Sequence, residues 1–230
     1  MENIFIVVFG LTMLYIAAAS RLSAHINMLM VQGWLLFFIC MTGLSREPWF
    51  NFEIFSSVKE NLPHISALLF VTAETIGVKA VLIPLFLRKI LNKTHACRDS
   101  KADIPHFYAL VISSAVLFGG LALGSLHIDE FKLVPPLFFG VSASVILTSL
   151  WMITVKRTVL SNVISFITME NGIFLLSIAA SAEMPAIVSL GVLLDIFIAV
   201  FILGMLVKEI GSEFEDLGVS HLSNLKDYEE

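Results

Sequence analysis

The stretch SNVISFITMENGIFLLSIAAS, Ser161 to Ser181, is predominantly apolar and carries a single charge, Glu170, near its middle. A helix rises about 1.5 Å per residue, so about twenty residues cover the ~30 Å hydrocarbon core of a bilayer. This run has that length. Working outward, a second such run, 186–208, follows after a short turn at Glu183-Met184-Pro185. Five more precede it, at 3–20, 25–43, 62–87, 106–126 and 134–154. The expected fold class is therefore all-α, a polytopic membrane helix bundle of about seven transmembrane helices.

Composition agrees with that reading. Of 230 residues, 57% are hydrophobic and 14% charged, against ~45–50% and ~25% in soluble domains. The mean hydropathy is +0.90. Membrane lipid is the expected surroundings, and the chain lacks a basic patch of the size that nucleic acid requires. Cys40 lies inside an apolar run and Cys97 in a polar loop. Neither belongs to a C-x-x-C pair, so no iron–sulfur or zinc site, and no other cofactor, is expected from this chain. Residues 3–20 end in Ala17-Ala18-Ala19-Ser20, which imitates a signal-peptide cleavage site. A signal peptide needs a basic start, and Glu2 stands there instead, so a retained helix is expected.

Pro63, Pro105, Pro135 and Pro185 fall near helix starts, where a missing amide proton costs least. Pro84 lies inside the third run and predicts a kink. With the N-terminus outside, the outer loops carry Arg46, Lys59 and Lys132. The inner segments carry Arg21, Arg88, Lys89, Lys93, Arg98, Lys101, Lys156, Arg157, Lys208 and Lys226. That imbalance predicts an N-out, C-in chain in the cell inner membrane. The expected organisation is helices one to three in 1–90, a basic cytoplasmic loop and a connecting fourth helix in 91–132, helices five to seven in 133–210, and a cytoplasmic tail in 211–230. A weak internal three-helix repeat is also visible. Leu22-Ser23-Ala24-His25-Ile26 through Gln32 can be laid on Leu160-Ser161-Asn162-Val163-Ile164 through Glu170, and Arg88-Lys89-Ile90 on Lys208-Glu209-Ile210.

Four charges sit well within the apolar runs: Glu74, Lys79, Glu170 and Asp195. Each costs roughly 2.5–3.5 kcal/mol at a helix centre on insertion scales. Such groups must face the bundle interior, pair, or meet water. Five residues on an α-helix turn through about 140°, so Glu74 and Lys79 are expected to find partners on other helices. Desolvation favours the neutral form of a lone carboxyl, and a basic neighbour or a water favours the charged form again. A carboxyl poised between those influences can take and pass a proton. Gln32, Thr72, Thr75 and Asn171 supply donors and acceptors for a lateral polar line beside Glu170, Asp195, Glu74 and Lys79. The plainer reading makes all of them hydrogen-bonding glue between helices. A retinal Schiff base at Lys79 is disfavoured, because such a lysine is expected in the last span, which has none.

Met169-Glu170-Asn171-Gly172-Ile173-Phe174, then Leu190-Gly191-Val192-Leu193-Leu194-Asp195, then Phe214-x-x-Leu217-x-x-x-x-Leu222 together resemble hydrogenase-4 component E. That family belongs to the membrane arm of formate-hydrogenlyase-like complexes. Thr72-Ala73-Glu74-Thr75 through Pro84 is also in keeping. The last three runs are similar to the K-type subunit of complex I and to the C-type subunit of multisubunit sodium/proton antiporters. The resemblance implies a non-catalytic membrane subunit, with other membrane and peripheral subunits of a hydrogenase-type complex as partners. It also implies that Glu170 and Asp195 correspond to two midmembrane carboxylates on a proton path. The complex I pattern has Glu at the second position where Asp195 stands here, and the shorter side chain reaches less far. Glu74 has no clean counterpart. Alternatives are a subunit of a sodium/proton antiporter or of complex I, a stand-alone secondary transporter, and a purely structural membrane protein.

Overall fold

The computed structural model describes residues 2–44, 73–94, 105–126, 135–156 and 158–180, all within one compact unit spanning residues 1–188. They are all helical, with no strand among the described residues. Helix α1 covers Glu2–Ala18 and α2 Leu22–Leu44. A π-helix over Ala73–Leu82 runs into α3, Ile83–Thr94. Then come α4, His106–Leu126, α5, Pro136–Val155, and α6, Val159–Ala180. Four of these, α2, α4, α5 and α6, are long and apolar enough to cross a membrane. The chain is thus a helical membrane protein. The run 186–208, with Asp195, and the stretch 62–72, with Thr72, lie outside the described residues.

The helix boundaries follow local chemistry. At α5, Pro135 (φ −55°, ψ 134°) holds the extended conformation that a residue before proline prefers, and Pro136 opens the helix. The start therefore falls slightly later than the apolar run suggests. In the third run, where Pro84 predicts a kink, the structure shows a change of helix type just before that residue. Pro84 has no amide to offer the carbonyl of Ala80 and its ring crowds that carbonyl, so an unbroken α-ladder cannot pass this point. Because 73–82 is π-helical, the spacing from Glu74 to Lys79 does not subtend the α-helical angle that the sequence suggested.

Contacts fix the helix directions. His25, in the first turn of α2, touches Lys156, in the turn between α5 and α6. Asn27 accepts from Arg88 of α3 (2.6 Å), and Gly124 of α4 packs on Pro136 of α5. The α1–α2 and α5–α6 turns therefore lie at one end of the bundle, and successive helices alternate in direction. Arg21, Arg88 and Lys156 gather at this end, which is the basic end. The half of the bundle away from it is filled by a contiguous apolar cluster, including Phe9 and Met13 of α1, Leu36 and Ile39 of α2, Val145 of α5 and Leu175 of α6.

Small residues let the helices close up. Gly120 and Gly124 on α4 face Gly140 and Ser144 on α5, with backbone against backbone. Gly120-x-x-x-Gly124 meeting Gly140-x-x-x-Ser144 is the arrangement by which apolar helices gain contact when lipid offers no hydrophobic drive. Ser144 Oγ donates to Gly140 O (2.6 Å) within its own helix. On the opposite flank Gly33 of α2 lies directly on the backbone of Lys79 and Ala80.

Candidate functional site

At mid-height the apolar packing is interrupted by a layer of polar side chains drawn from α1, α2, the π-helix and α6. Its centre is an ion pair: Lys79 Nζ stands 3.2 Å from Glu170 Oε1, with the two side chains 2% and 4% exposed. The ammonium also lies 4.4 Å from the centre of the Phe174 ring, one turn beyond Glu170 on α6. An aromatic face attracts a desolvated cation by about 2 kcal/mol. Lys79 is thus held from two directions, by a carboxylate and by a ring. Two charges taken out of water lose solvation that their mutual attraction repays only with good geometry and further hydrogen bonds.

Beside the pair runs a directional chain of hydrogen bonds. Asn171 Nδ2 donates to Gln32 Oε1 (3.1 Å), Gln32 Nε2 donates to Thr12 Oγ1 (3.1 Å), and Thr12 donates to the carbonyl of Phe9 (2.6 Å). All three side chains are buried, and donors following one another in a chain polarise each other. Amides, however, do not titrate, so Asn171 and Gln32 clamp α6, α2 and α1 rather than conduct. The residues of this layer that can exchange a proton are Glu170 and Lys79.

Of the residues expected from sequence, the structure brings Glu170 and Lys79 together and sets Gln32 and Asn171 beside them. Thr75 is fully buried on the π-helix. The side chain of Glu74, and Asp195 as a whole, lie outside the described residues. Among the described residues no group of three or more His, Cys, Asp or Glu could hold a metal ion. Sequence reasoning missed Thr12, Phe174 and a second buried polar pair at the basic end, His25 with Lys156. Thr12 is a lone threonine in a largely apolar run, and only its depth marks it. Lys156 reads as a loop charge, yet it is buried.

No family model matches the chain, and no solved structure matches it. An uncharacterized protein of Mycobacterium tuberculosis is 25% identical over 171 residues, which cover 70% of this chain and 74% of that relative.

Proposed function

We propose that this chain is a non-catalytic membrane-arm subunit of a hydrogenase-type redox complex, in which Glu170, paired with Lys79, forms part of a proton path. The observation that carries the reading is the buried Lys79–Glu170 pair at mid-height. A purely structural bundle gains nothing from such a pair, because well-packed apolar side chains of similar volume are often as stable or more so. Ionisable residues kept inside a membrane mark ion paths more often than not. The likeness of the residues around Glu170 to hydrogenase-4 component E supplies the complex. Asp195 and Glu74 would continue the path. Electron transfer in partner subunits would shift the charge balance at the pair, and a proton would follow. The gathering of Arg21, Arg88 and Lys156 at one end supports a cytoplasmic basic end, with the N-terminus outside.

Two measurements test this. Purification from native membranes in mild detergent should recover the chain with hydrogenase-type large and small subunits. Recovery as an isolated monomer or homodimer would point to a permease instead. Glu170→Gln should sharply reduce coupled proton movement in vesicles while the complex still assembles. Wild-type proton movement in that variant would reject the role.

A further inference from the structure

Phe174 and Glu170 stand one turn apart on α6, and both reach Lys79 of the π-helix. Residues at that spacing share one helix face, so acid and ring approach the ammonium side by side. Nζ is 3.2 Å from Glu170 Oε1 and 4.4 Å from the centre of the Phe174 ring. That is well inside the ~6 Å within which an aromatic face attracts a cation. The ring itself is fixed. It is 4% exposed and belongs to the apolar cluster that includes Leu36, Val145 and Leu175. The backbone that carries Lys79 is fixed as well, because Gly33 of α2 lies directly on it.

The two partners respond differently to a proton. When the Glu170 carboxylate gains one, its attraction for Lys79 falls to that of a neutral acid. A π face has no proton to gain, and its quadrupole is the same in either state. Its hold on Lys79 grows. While Glu170 is charged, the ring faces an ion pair of zero net charge, which it attracts less than a bare cation. Once Glu170 is neutral, the full charge of the ammonium stands beside the ring. An attraction of the size usual for desolvated cations multiplies the population of that state by up to roughly thirtyfold. A neutral amine would gain no such attraction, so the ring also disfavours transfer of a proton from Lys79 to Glu170.

We infer that Phe174 is a positioning residue of the proton path, keeping Lys79 charged and in place while Glu170 carries a proton. This rests on the reading of Glu170 as a proton carrier and adds that Lys79 is a fixed cation, not a relay. In the loading step a hydronium ion of the path gives up a proton, an O–H bond forms on the Glu170 carboxylate, and water is left. In the unloading step that O–H bond breaks, its electron pair stays on the carboxylate, and an acceptor water becomes hydronium. Lys79 keeps its N–H bonds throughout, and the pair changes its net charge at Glu170 alone.

Fluorination tests the ring with little change of shape, since each fluorine withdraws electron density from the π face. In the full chain, Phe174 would be replaced by its 4-fluoro, 3,5-difluoro and 3,4,5-trifluoro analogues through amber suppression. Glu170→Gln supplies the second arm, because its amide has the shape of the neutral acid. In detergent, the thermal midpoint should fall by several degrees across the series in the Glu170→Gln background, and by clearly less with Glu170 in place. Equal falls in both backgrounds, or none in either, would overturn the hold on Lys79. In vesicles of the intact complex, coupled proton movement should slow stepwise with each fluorine, by roughly tenfold over the series. A rate that stays flat or rises with fluorination, while Glu170→Gln is slow, would overturn the positioning role and leave Glu170 its own. If Glu170→Gln runs at the wild-type rate, the functional reading fails instead, and the thermal midpoints alone decide whether the ring holds Lys79.

Discussion

Lys79 Nζ and Glu170 Oε1 meet at 3.2 Å across 91 residues of sequence, with the Phe174 ring 4.4 Å from the same ammonium. Removing one partner of such a pair strands the other charge in the bundle, at a cost of about 3–5 kcal/mol. Lys79→Ala should therefore lower the thermal midpoint in detergent and reduce the amount of folded chain in the membrane. Replacing both at once, Lys79→Met with Glu170→Met, should recover most of that loss, because no charge remains to be solvated. The double variant should assemble yet move no protons. Full proton movement in it would leave the pair a purely structural role.

Gly33 and Gly77 make opposite predictions for the same substitution. A Cβ on Gly33 would lie 2.7 Å from Cα and N of Ala80, so Gly33→Ala must push α2 and the π-helix apart. Overpacking of this kind costs about 1–3 kcal/mol. It also moves the backbone that carries Lys79, so the loss of proton movement should exceed what the drop in stability alone explains. Gly77 has nothing within 4 Å of an added Cβ. Gly77→Ala should be neutral or stabilising by up to about 1 kcal/mol, through reduced freedom of the unfolded chain. Thermal midpoints of the two variants, measured side by side, check the contrast.

The clamp of Asn171, Gln32 and Thr12 should behave as a coupled unit. Gln32→Leu leaves the Asn171 amide without its acceptor and Thr12 without its donor, at about 1–3 kcal/mol for each buried group stranded. Adding Asn171→Leu should cost much less than it does alone, since one of the stranded groups is then gone. Strictly additive losses in this double-mutant cycle would show that the hydrogen bond contributes nothing.

Much of the fold was legible because the bilayer imposes a length on each helix. The apolar runs at 106–126 and 161–181 coincide with α4 and α6 to within a residue or two. Glu170 and Lys79 were legible for a related reason, since a charge inside an apolar run must be compensated somewhere. Their pairing was not legible, because it depends on which helices become neighbours, and each run is apolar all round. The π-helix was half legible: Pro84 announces that the α-ladder breaks but not how the backbone relieves the strain. His25 and Lys156 were hidden by position. Both fall near a turn, where a sequence suggests solvent, and only the packing of two hairpins in the same direction buries them against each other.

The α4–α5 contact gives the last prediction, and it separates anchoring from function. A Cβ on Gly124 would fall on the carbonyl of Pro136, and one on Gly120 on Ser144 and the carbonyl of Gly140. Neither backbone can yield, so Gly120→Val or Gly124→Val should detach α4 from α5. The face of α4 that bears Phe107, Leu110, Val111 and Phe118 is already exposed, so the detached helix can stay in the membrane. The Lys79–Glu170 pair is built from the π-helix and α6 and does not use α4. The expected result is therefore loss of a disulfide cross-link between cysteines placed at Leu117 and Gly10, the α1 site that Leu117 packs against. The chain should still be inserted, and the double-mutant coupling between Lys79 and Glu170 should be unchanged. If that coupling also disappears, α4 braces the whole bundle, because the strain has then travelled through α5 into α6 at Gly172, where Val145 and Ile146 leave no slack.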